Sequence, residues 1–383
     1  MTALDPDILI ETAQQLVRSD DLMGREWEPA FRVLVESLAR EAGLRPARVE
    51  TAVAELLGLL TTRGRVAALL RARPELRERP TPAPAIITGL PRTGTTLLHN
   101  LMAVVPGNRA YRLWELRAPA FAIDAPPEQA RRELEATQAM LRWLYGRAPA
   151  FRDIHPMAAD APDECNWLLR ATFTTPFFAW LNHVPSYERF LADADFRPAY
   201  RDWDLLLRAL RWRSPGGAPV LKDPGHIWAP DALLATRPDA RLIVTVRALD
   251  EVVGSFCSLC STLQHMDADG PGDAVVGRTT LRLLERGLAR LERAYAEHRA
   301  RILLVDYREF VADPVATVER IQHWLDRPFD DRAAAACRAF LEGQPRHAPH
   351  RYSLARFGLR PEQLPALTLG GLPRRGAPRR ASA

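Results

Sequence analysis

The chain has 383 residues, of which 47% are hydrophobic and 26% are charged, as in ordinary globular proteins. No stretch approaches the roughly 18 uninterrupted apolar residues of a membrane-spanning helix. The acidic start also lacks the basic-then-apolar layout of a signal peptide, so we predict a cytoplasmic protein without a membrane span. The net charge of +5 suits an anionic ligand. Because no zinc, RNP or helix-turn-helix signature accompanies it, we expect no nucleic-acid partner.

The first 80 residues have the pattern of helices. Apolar residues recur at helical spacing in three successive stretches, and no strand pattern interrupts them. Prolines at positions 74, 80, 82 and 84 end this helical part and extend the chain towards the first strand. We predict that residues 1–80 form an N-terminal helical cap, which packs on an α/β domain spanning residues 81–345.

The stretch IITGLPRTGTTLLHN has the strand–loop–helix layout of a phosphate-binding loop, in which backbone N–H groups and a helix N-terminus face an anion. The spacing from Gly89 to Gly94 matches that of nucleotide-triphosphate loops, but Thr95 stands where those loops have lysine. A triphosphatase needs that lysine at the β- and γ-phosphates. The difference therefore favours a phosphate ligand other than ATP or GTP, with Arg92 as the cation of the loop.

Residues 107–218 are irregular and rich in aromatic side chains, and we predict a helical insertion there. Such aromatic density is typical of a protein core. It is equally typical of a pocket for a large, partly apolar molecule. Both interpretations stay open at this point.

Residues 219–330 alternate between strands and helices, and Asp250 is expected to cap one of these helices. Together with the opening strand this makes four βα units. Such units predict an α/β fold, with a P-loop-like parallel β-sheet flanked by helices. The two cysteines of the C-x-x-C pattern at positions 257 and 260 fall within a predicted helix, where we expect buried thiols rather than a disulfide or metal site.

Three of the predicted strands end in polar residues, at the edge where doubly wound sheets bind ligands. The first end is the loop described above. The second carries Lys222, the single lysine among 52 basic residues, so 51 are arginine. The third carries Arg247, and Ser255 follows eight residues later in the next helix. A lysine offers a compact and mobile ammonium that arginine cannot replace, which makes Lys222 a functional candidate.

These elements resemble those of the sulfotransferases. PRTGTT resembles the 5′-phosphosulfate loop of that family, and the Arg247-x7-Ser255 spacing resembles its 3′-phosphate element. VLKDPGH resembles a Lys-Thr-His-type segment, although Lys222 and His226 are four residues apart here rather than two. HRYSLARFGL occupies the place of the family's loop that closes over the cofactor, without its Arg-Lys-Gly pattern; it belongs to a predicted closing loop and disordered tail at residues 346–383.

The resemblance implies that PAPS (3′-phosphoadenosine 5′-phosphosulfate) is the donor and 3′,5′-ADP the product. It further implies a metal-independent, in-line transfer to a hydroxyl or amine of a small-molecule, lipid or glycan acceptor. The cofactor contacts it implies are Arg92, Thr93, Gly94, Thr95, Thr96, Arg247, Ser255 and Arg351.

The same resemblance gives Lys222 the task of neutralising the leaving oxygen. The general base must lie within hydrogen-bond reach of the acceptor, and His226 is the first choice. Glu164 is the main rival, because family members that act on glycans use a glutamate, and His155 serves as a base or a substrate contact. The plainer alternatives are helix capping by Glu164 and by Asp223. The competing functions are a P-loop-type small-molecule kinase and a non-catalytic nucleotide-binding protein.

Overall fold

Five parallel strands form one sheet with the order β2-β3-β1-β4-β5. The structure is a computed structural model that describes residues 3–120, 126–343 and 353–365, together with Leu369. The strands are β1 (Ala85–Gly89), β2 (Asn108–Arg109), β3 (Ala218–Lys222), β4 (Arg241–Val246) and β5 (Ile302–Asp306).

Seventeen helices of α type flank this sheet in the described residues. They are α1 (Pro6–Val17), α2 (Glu28–Arg40), α3 (Pro46–Ala72), α4 (Thr95–Val104), α5 (Leu113–Arg117), α6 (Glu128–Arg147), α7 (Pro149–Ile154), α8 (Asn166–Arg170), α9 (Phe177–Leu181), α10 (Pro185–Asp193), α11 (Arg197–Arg213), α12 (Pro230–Thr236), α13 (Leu249–Gln264), α14 (Asp273–Glu297), α15 (Tyr307–Ala312), α16 (Pro314–Trp324) and α17 (Asp331–Glu342).

The central strand β1 is buried along its whole length. Ile86 faces one apolar layer of the core and Ile87 faces the other, as the alternation of a strand requires. The predicted α/β class with a parallel sheet is thus confirmed. Strand β2 was not predicted, because two residues are too few to show the alternation of a strand.

Strand register brings the polar strand ends together. Ile87 pairs with Lys222 on β3, and Gly89 pairs with Thr245 on β4. The loop after β1 therefore lies between the ends of β3 and β4. This is the sheet edge that the sequence singled out.

Helix α3 is fastened to the rest of the molecule by a buried arginine. The guanidinium of Arg63 donates to the carbonyl oxygens of Leu22, Met23 and Ala171, and it forms a 2.6 Å ion pair with Asp202 of α11. Every one of these partners lies outside α3. The position and rotation of α3 are thereby fixed against both the N-terminal segment and the insertion.

Two smaller expectations have clear outcomes. Helix α13 begins at Leu249 after Ala248 and has no side-chain cap, so the predicted capping role of Asp250 is wrong; Asp250 lies inside the first turn. Cys257 and Cys260 are buried and form no disulfide, as predicted, and the same holds for Cys165 and Cys337. In the described part of the chain, no helix combines the length and apolarity needed to cross a membrane.

Candidate functional site

The loop between β1 and α4 has a backbone that only certain residues allow. Gly89 has φ 134°, and a Cβ at this position would lie 2.4 Å from the carbonyl oxygen of Thr245. Gly94 has φ 85° and begins α4 without a side-chain cap. The first N–H groups of α4 are therefore left without a capping side chain, which is the arrangement that binds anions at helix N-termini.

Arg92 adds a positive charge to this loop. Its backbone has φ 70°, a conformation that costs energy for a residue other than glycine and often marks functional positions. Its Nε donates to Ser255 Oγ at 3.2 Å, and its Nη1 donates to the Ile154 carbonyl at 2.6 Å. Thr93, by contrast, is fully buried, and its hydroxyl is hydrogen-bonded to Leu90 and Thr245, so it shapes the loop from within.

Arg247 and Ser255 meet the loop from β4 and α13. Arg247 Nη1 donates to the Arg92 carbonyl at 3.3 Å, and its Nε forms a 2.8 Å ion pair with Glu251. Its guanidinium also lies 4.3 Å from the ring centre of Tyr307. The structure thus brings Arg92, Arg247 and Ser255 into one cluster. Arg351, His350 and Tyr352 lie outside the described residues.

Lys222 lies between the loop and an acidic residue of the insertion. Its Nζ forms a 2.6 Å ion pair with Glu164 Oε1 and a 3.4 Å hydrogen bond to Thr96 Oγ1. Only 2% of the lysine side chain is exposed. A buried ammonium therefore connects the acid to the first turn of α4.

Glu164 is held in place by its neighbours along the chain. Asn166 Nδ2 donates to Glu164 Oε2 at 2.6 Å, and the Cys165 amide donates to the Lys222 carbonyl at 2.8 Å. Burial raises the pKa of Glu164, but the charge of Lys222 and the hydrogen bonds from Lys222 and Asn166 outweigh it. The pKa of Glu164 therefore lies below its ordinary value.

His155 lies in the same wall, next to α7. Its ring is 5.7 Å from that of Phe151, and its carbonyl accepts from the hydroxyl of Tyr145 at 3.1 Å. Burial lowers the pKa of His155, and the charge of Lys222 adds to this effect, whereas the charge of Glu164 opposes it. The imidazole is therefore neutral at neutral pH.

His226 is placed elsewhere. It belongs to the 3₁₀ turn Pro224–Trp228, which points the ring into the interior, where Nδ1 is 2.8 Å from the Tyr200 hydroxyl and Nε2 is 3.2 Å from Cys165 Sγ. The residue is fully buried, and burial lowers its pKa to about 3. Both ring nitrogens are engaged within the protein, so the structure places His226 behind the site rather than in it.

One cavity of about 1500 Å³ connects these groups with the insertion. At one end, which we call the loop end, its walls include the loop, Glu164, His155, Arg247 and Ser255. Farther along, helices α3, α6, α8 and α9 supply the walls. The aromatic residues of the insertion divide between two uses: Trp143, Trp167, Phe177 and Trp180 line the cavity, whereas Phe173, Phe178, Tyr187 and Trp203 are buried in the core.

Sequence reasoning missed the contribution of α3 to this cavity. Arg48, Thr51, Glu55, Gly58 and Thr62 recur at helical spacing and line it along one side. That helical spacing of polar and small residues was the available signal, because it marks one face of α3.

Known proteins show the same architecture. A family model described as the sulfotransferase family matches residues 84–331. The crystal structure of sulfotransferase STF1 from Mycobacterium tuberculosis H37Rv is 30% identical, covers 92% of this chain and 95% of its own, and has a TM-score of 0.76. That of sulfotransferase STF9 from Mycobacterium avium is 25% identical, covers 93% of both chains, and has a TM-score of 0.81. No protein with curated function matches the sequence significantly.

Proposed function

Since this chain belongs to the sulfotransferase family, we propose that PAPS is its sulfuryl donor and that a hydroxyl of a small organic molecule is its acceptor. The observation that carries the proposal is the position of Lys222. Its ammonium lies between Thr96, in the first turn of α4, and Glu164 in the wall of a large cavity.

The residues of the loop end suit the nucleotide. The uncapped first turn of α4 offers N–H donors to a 5′-phosphate, together with Thr95, Thr96 and the charge of Arg92. Arg247 and Ser255 form a second anion-binding pair beside it, which suits a 3′-phosphate. When bound, PAPS supplies a sulfur atom to which the acceptor oxygen bonds as the S–O bond to the 5′-phosphate breaks and 3′,5′-ADP leaves.

Lys222 and Glu164 then have complementary tasks. The Lys222 ammonium can pair either with the Glu164 carboxylate or with an anion bound at the loop, since it contacts both Glu164 and Thr96. When it turns to the loop, Glu164 loses the charge that lowers its pKa, whereas burial continues to raise it. Glu164 becomes a stronger base at that point, and we propose that it takes the proton of the acceptor hydroxyl.

His155 is the second candidate for the base. Burial keeps its imidazole neutral, and the residue lines the same cavity as Glu164. A neutral imidazole at neutral pH is the usual form of a general base. His226, the first choice from the sequence, is not proposed for this role because its ring nitrogens are engaged by Tyr200 and Cys165.

The cavity favours an acceptor with a sizeable apolar body. Its volume of about 1500 Å³ exceeds the range of roughly 300–1,000 Å³ typical of small-molecule pockets. The aromatic walls supplied by Trp143, Trp167 and Phe177 suit an alcohol or phenol with aromatic or aliphatic parts. We therefore propose an acceptor of this kind.

Calorimetric titration with 3′,5′-ADP tests the donor, with 5′-AMP and Mg-ATP as comparison ligands. We expect 3′,5′-ADP to bind more tightly than 5′-AMP. Arg247→Ala should weaken 3′,5′-ADP binding by about 10- to 100-fold, the effect expected for a charge-assisted hydrogen bond. Arg241→Ala, at the opposite end of β4, is the matched control. Equal affinity for 3′,5′-ADP and 5′-AMP would contradict the proposal.

A further inference from the structure

Two buried arginines form part of the cavity wall that belongs to the insertion and α3. Arg48 is 6% exposed and Arg170 is 4% exposed, and both line the cavity. Arg48 belongs to α3, and Arg170 is the last residue of α8. We call these two residues, together with Glu55 of α3, the arginine wall.

The arginine wall carries an unbalanced charge. Arg170 forms an ion pair with Glu55. Arg48 has only neutral partners among the described residues, Thr51 Oγ1 at 3.3 Å and Asn182 Oδ1 at 3.5 Å. Two guanidinium groups and one carboxylate leave a net charge of +1. A buried charge of this kind is costly unless something pairs with it.

Arg170 also has unused hydrogen-bonding capacity. Its Nε is buried and makes no hydrogen bond with any described residue. Its guanidinium lies 4.2 Å from the ring centre of Trp167 and 4.6 Å from that of Phe177. These aromatic contacts fix the plane of the guanidinium, but ring faces do not take up the N–H donors in its edge as a carboxylate does. The edge therefore remains suited to an anion.

We propose that the arginine wall binds an anionic group, a carboxylate or a phosphate monoester, at the far end of the acceptor molecule. The proposal rests on the sulfotransferase function above and narrows its acceptor to hydroxylated acids. Glu164 lies two residues before the start of α8 at Asn166, and Arg170 is the last residue of that helix. Helix α8 has five residues and therefore rises by roughly 7.5 Å. We expect the hydroxyl and the anion to be separated by a similar span.

Binding of matched probes to the protein saturated with 3′,5′-ADP tests this assignment. The probes are ω-(hydroxyphenyl)alkanoic acids of increasing chain length, their methyl esters and the corresponding alkyl phosphates. We expect the acids or phosphates to bind at least about tenfold more tightly than the uncharged esters, as a charge-assisted hydrogen bond provides. The carboxylate and phosphate series distinguish the two anions.

Substitutions in the arginine wall should change this preference in opposite directions. Arg48→Met removes a charge without depriving any carboxylate of its partner, and should lower the preference for the anion by about 10- to 100-fold. Glu55→Gln removes the negative charge of the wall and should raise the preference. Arg71→Met, on the exposed face of the same helix, is the matched control.

The outcomes are separable. If 3′,5′-ADP fails to bind, the proposed function is wrong, whatever the probes do. If 3′,5′-ADP binds and the esters bind as well as the acids, the anionic acceptor is wrong. A loss of 3′,5′-ADP affinity in Arg48→Met would also overturn it, because the charge would then belong to the nucleotide site. A purely structural role for Arg48 would lower the melting temperature and leave the preference for acids over esters unchanged.

Discussion

The two ends of the cavity are built in different ways. At the loop end, the groups that we propose for the nucleotide come from one short loop, from the neighbouring strand ends of β3 and β4 and, in the case of Ser255, from α13. At the arginine wall, Arg48 and Glu55 come from α3, and Arg170 comes from α8, more than a hundred positions away in the chain. The first end depends on backbone geometry, and the second depends on the packing of helices.

This difference indicates which parts of the molecule we expect to determine the specificity for the donor and for the acceptor. Backbone N–H groups and a strand-end lysine are fixed by the sheet, so we expect substitutions elsewhere in the molecule to leave the nucleotide site proposed at the loop end unchanged. The arginine wall is set by side chains on helices that pack around an aromatic cluster. Acceptor choice can therefore change there without disturbing the loop. The two ends should respond independently to substitution.

The largest expected effect comes from Glu164, the acidic residue of the loop end. Glu164→Gln keeps the shape of the side chain but removes the proposed base, and should lower the rate of sulfuryl transfer by about 10²–10⁴-fold. The affinity for 3′,5′-ADP should stay within a few-fold of wild type, because we propose that Glu164 acts on the acceptor. Single-turnover transfer from PAPS, followed with the nucleotide titration, gives both quantities.

His155→Asn is the comparison variant for this experiment. A loss as large as that of Glu164→Gln, with disappearance of the acidic limb of the pH–rate profile, would transfer the role of base to His155.

The double variant Lys222→Met with Glu164→Gln should lower the transfer rate little more than the larger of the two single substitutions does, because we propose that the two residues act as a unit. Additive losses would contradict the paired roles.

The next largest effect concerns Arg63, which fixes α3, the helix that carries Arg48 and Glu55. Arg63→Met removes a buried cation from Asp202 and from three backbone carbonyl groups, and should lower the free energy of unfolding by about 3–5 kcal/mol. Urea denaturation measures this loss, and the exposed Arg71→Met should cost no more than about 1 kcal/mol. Folded Arg63→Met should keep its affinity for 3′,5′-ADP. A parallel loss of that affinity would show that the two ends are not independent.

Much of the fold could be predicted because its signals are local. Strand β1, the glycine turn and α4 follow one another in the printed sequence, and each obeys its own short-range rule. Strand β2 has two residues and is defined by its pairing with β3, which is distant in the chain, so the local sequence contains no strand pattern there. The start of α13 was misplaced because an acid in the first turn of a helix resembles an acid at its cap.

The site was predictable only to the level of strand ends. The sequence placed both Lys222 and His226 after β3 but could not show that the intervening 3₁₀ turn sends the two side chains in different directions. The arginine wall was missed for a related reason. An arginine in an apolar helix reads as an exposed residue, and only the packing of α8 against α3 shows that Arg48 and Arg170 face a shared cavity.

The smallest effect tests whether His226 belongs to the loop end or to the core behind it. Burial lowers the pKa of His226, and likewise that of His99, to about 3, whereas an unfolded histidine has a pKa near 6.5. Between these values the unfolded chain binds more protons, so each histidine makes the folded state less stable as the pH falls, by about 1.4 kcal/mol per pH unit. Asp223, whose pKa burial raises to about 8, acts in the opposite sense: the folded state loses stability as the pH rises towards that value.

His226→Asn should therefore reduce the dependence of the unfolding free energy on pH by about one proton in the window from about 6.5 down to about 3. Denaturation curves at several pH values give this slope, and the exposed His323 of α16, changed in the same way, is the matched control. The transfer rate should fall far less than in Glu164→Gln, because the ring of His226 contacts Tyr200 and Cys165 and not the cavity. An unchanged slope together with a loss of transfer as large as that of Glu164→Gln would return His226 to the reaction and extend the loop end into the core.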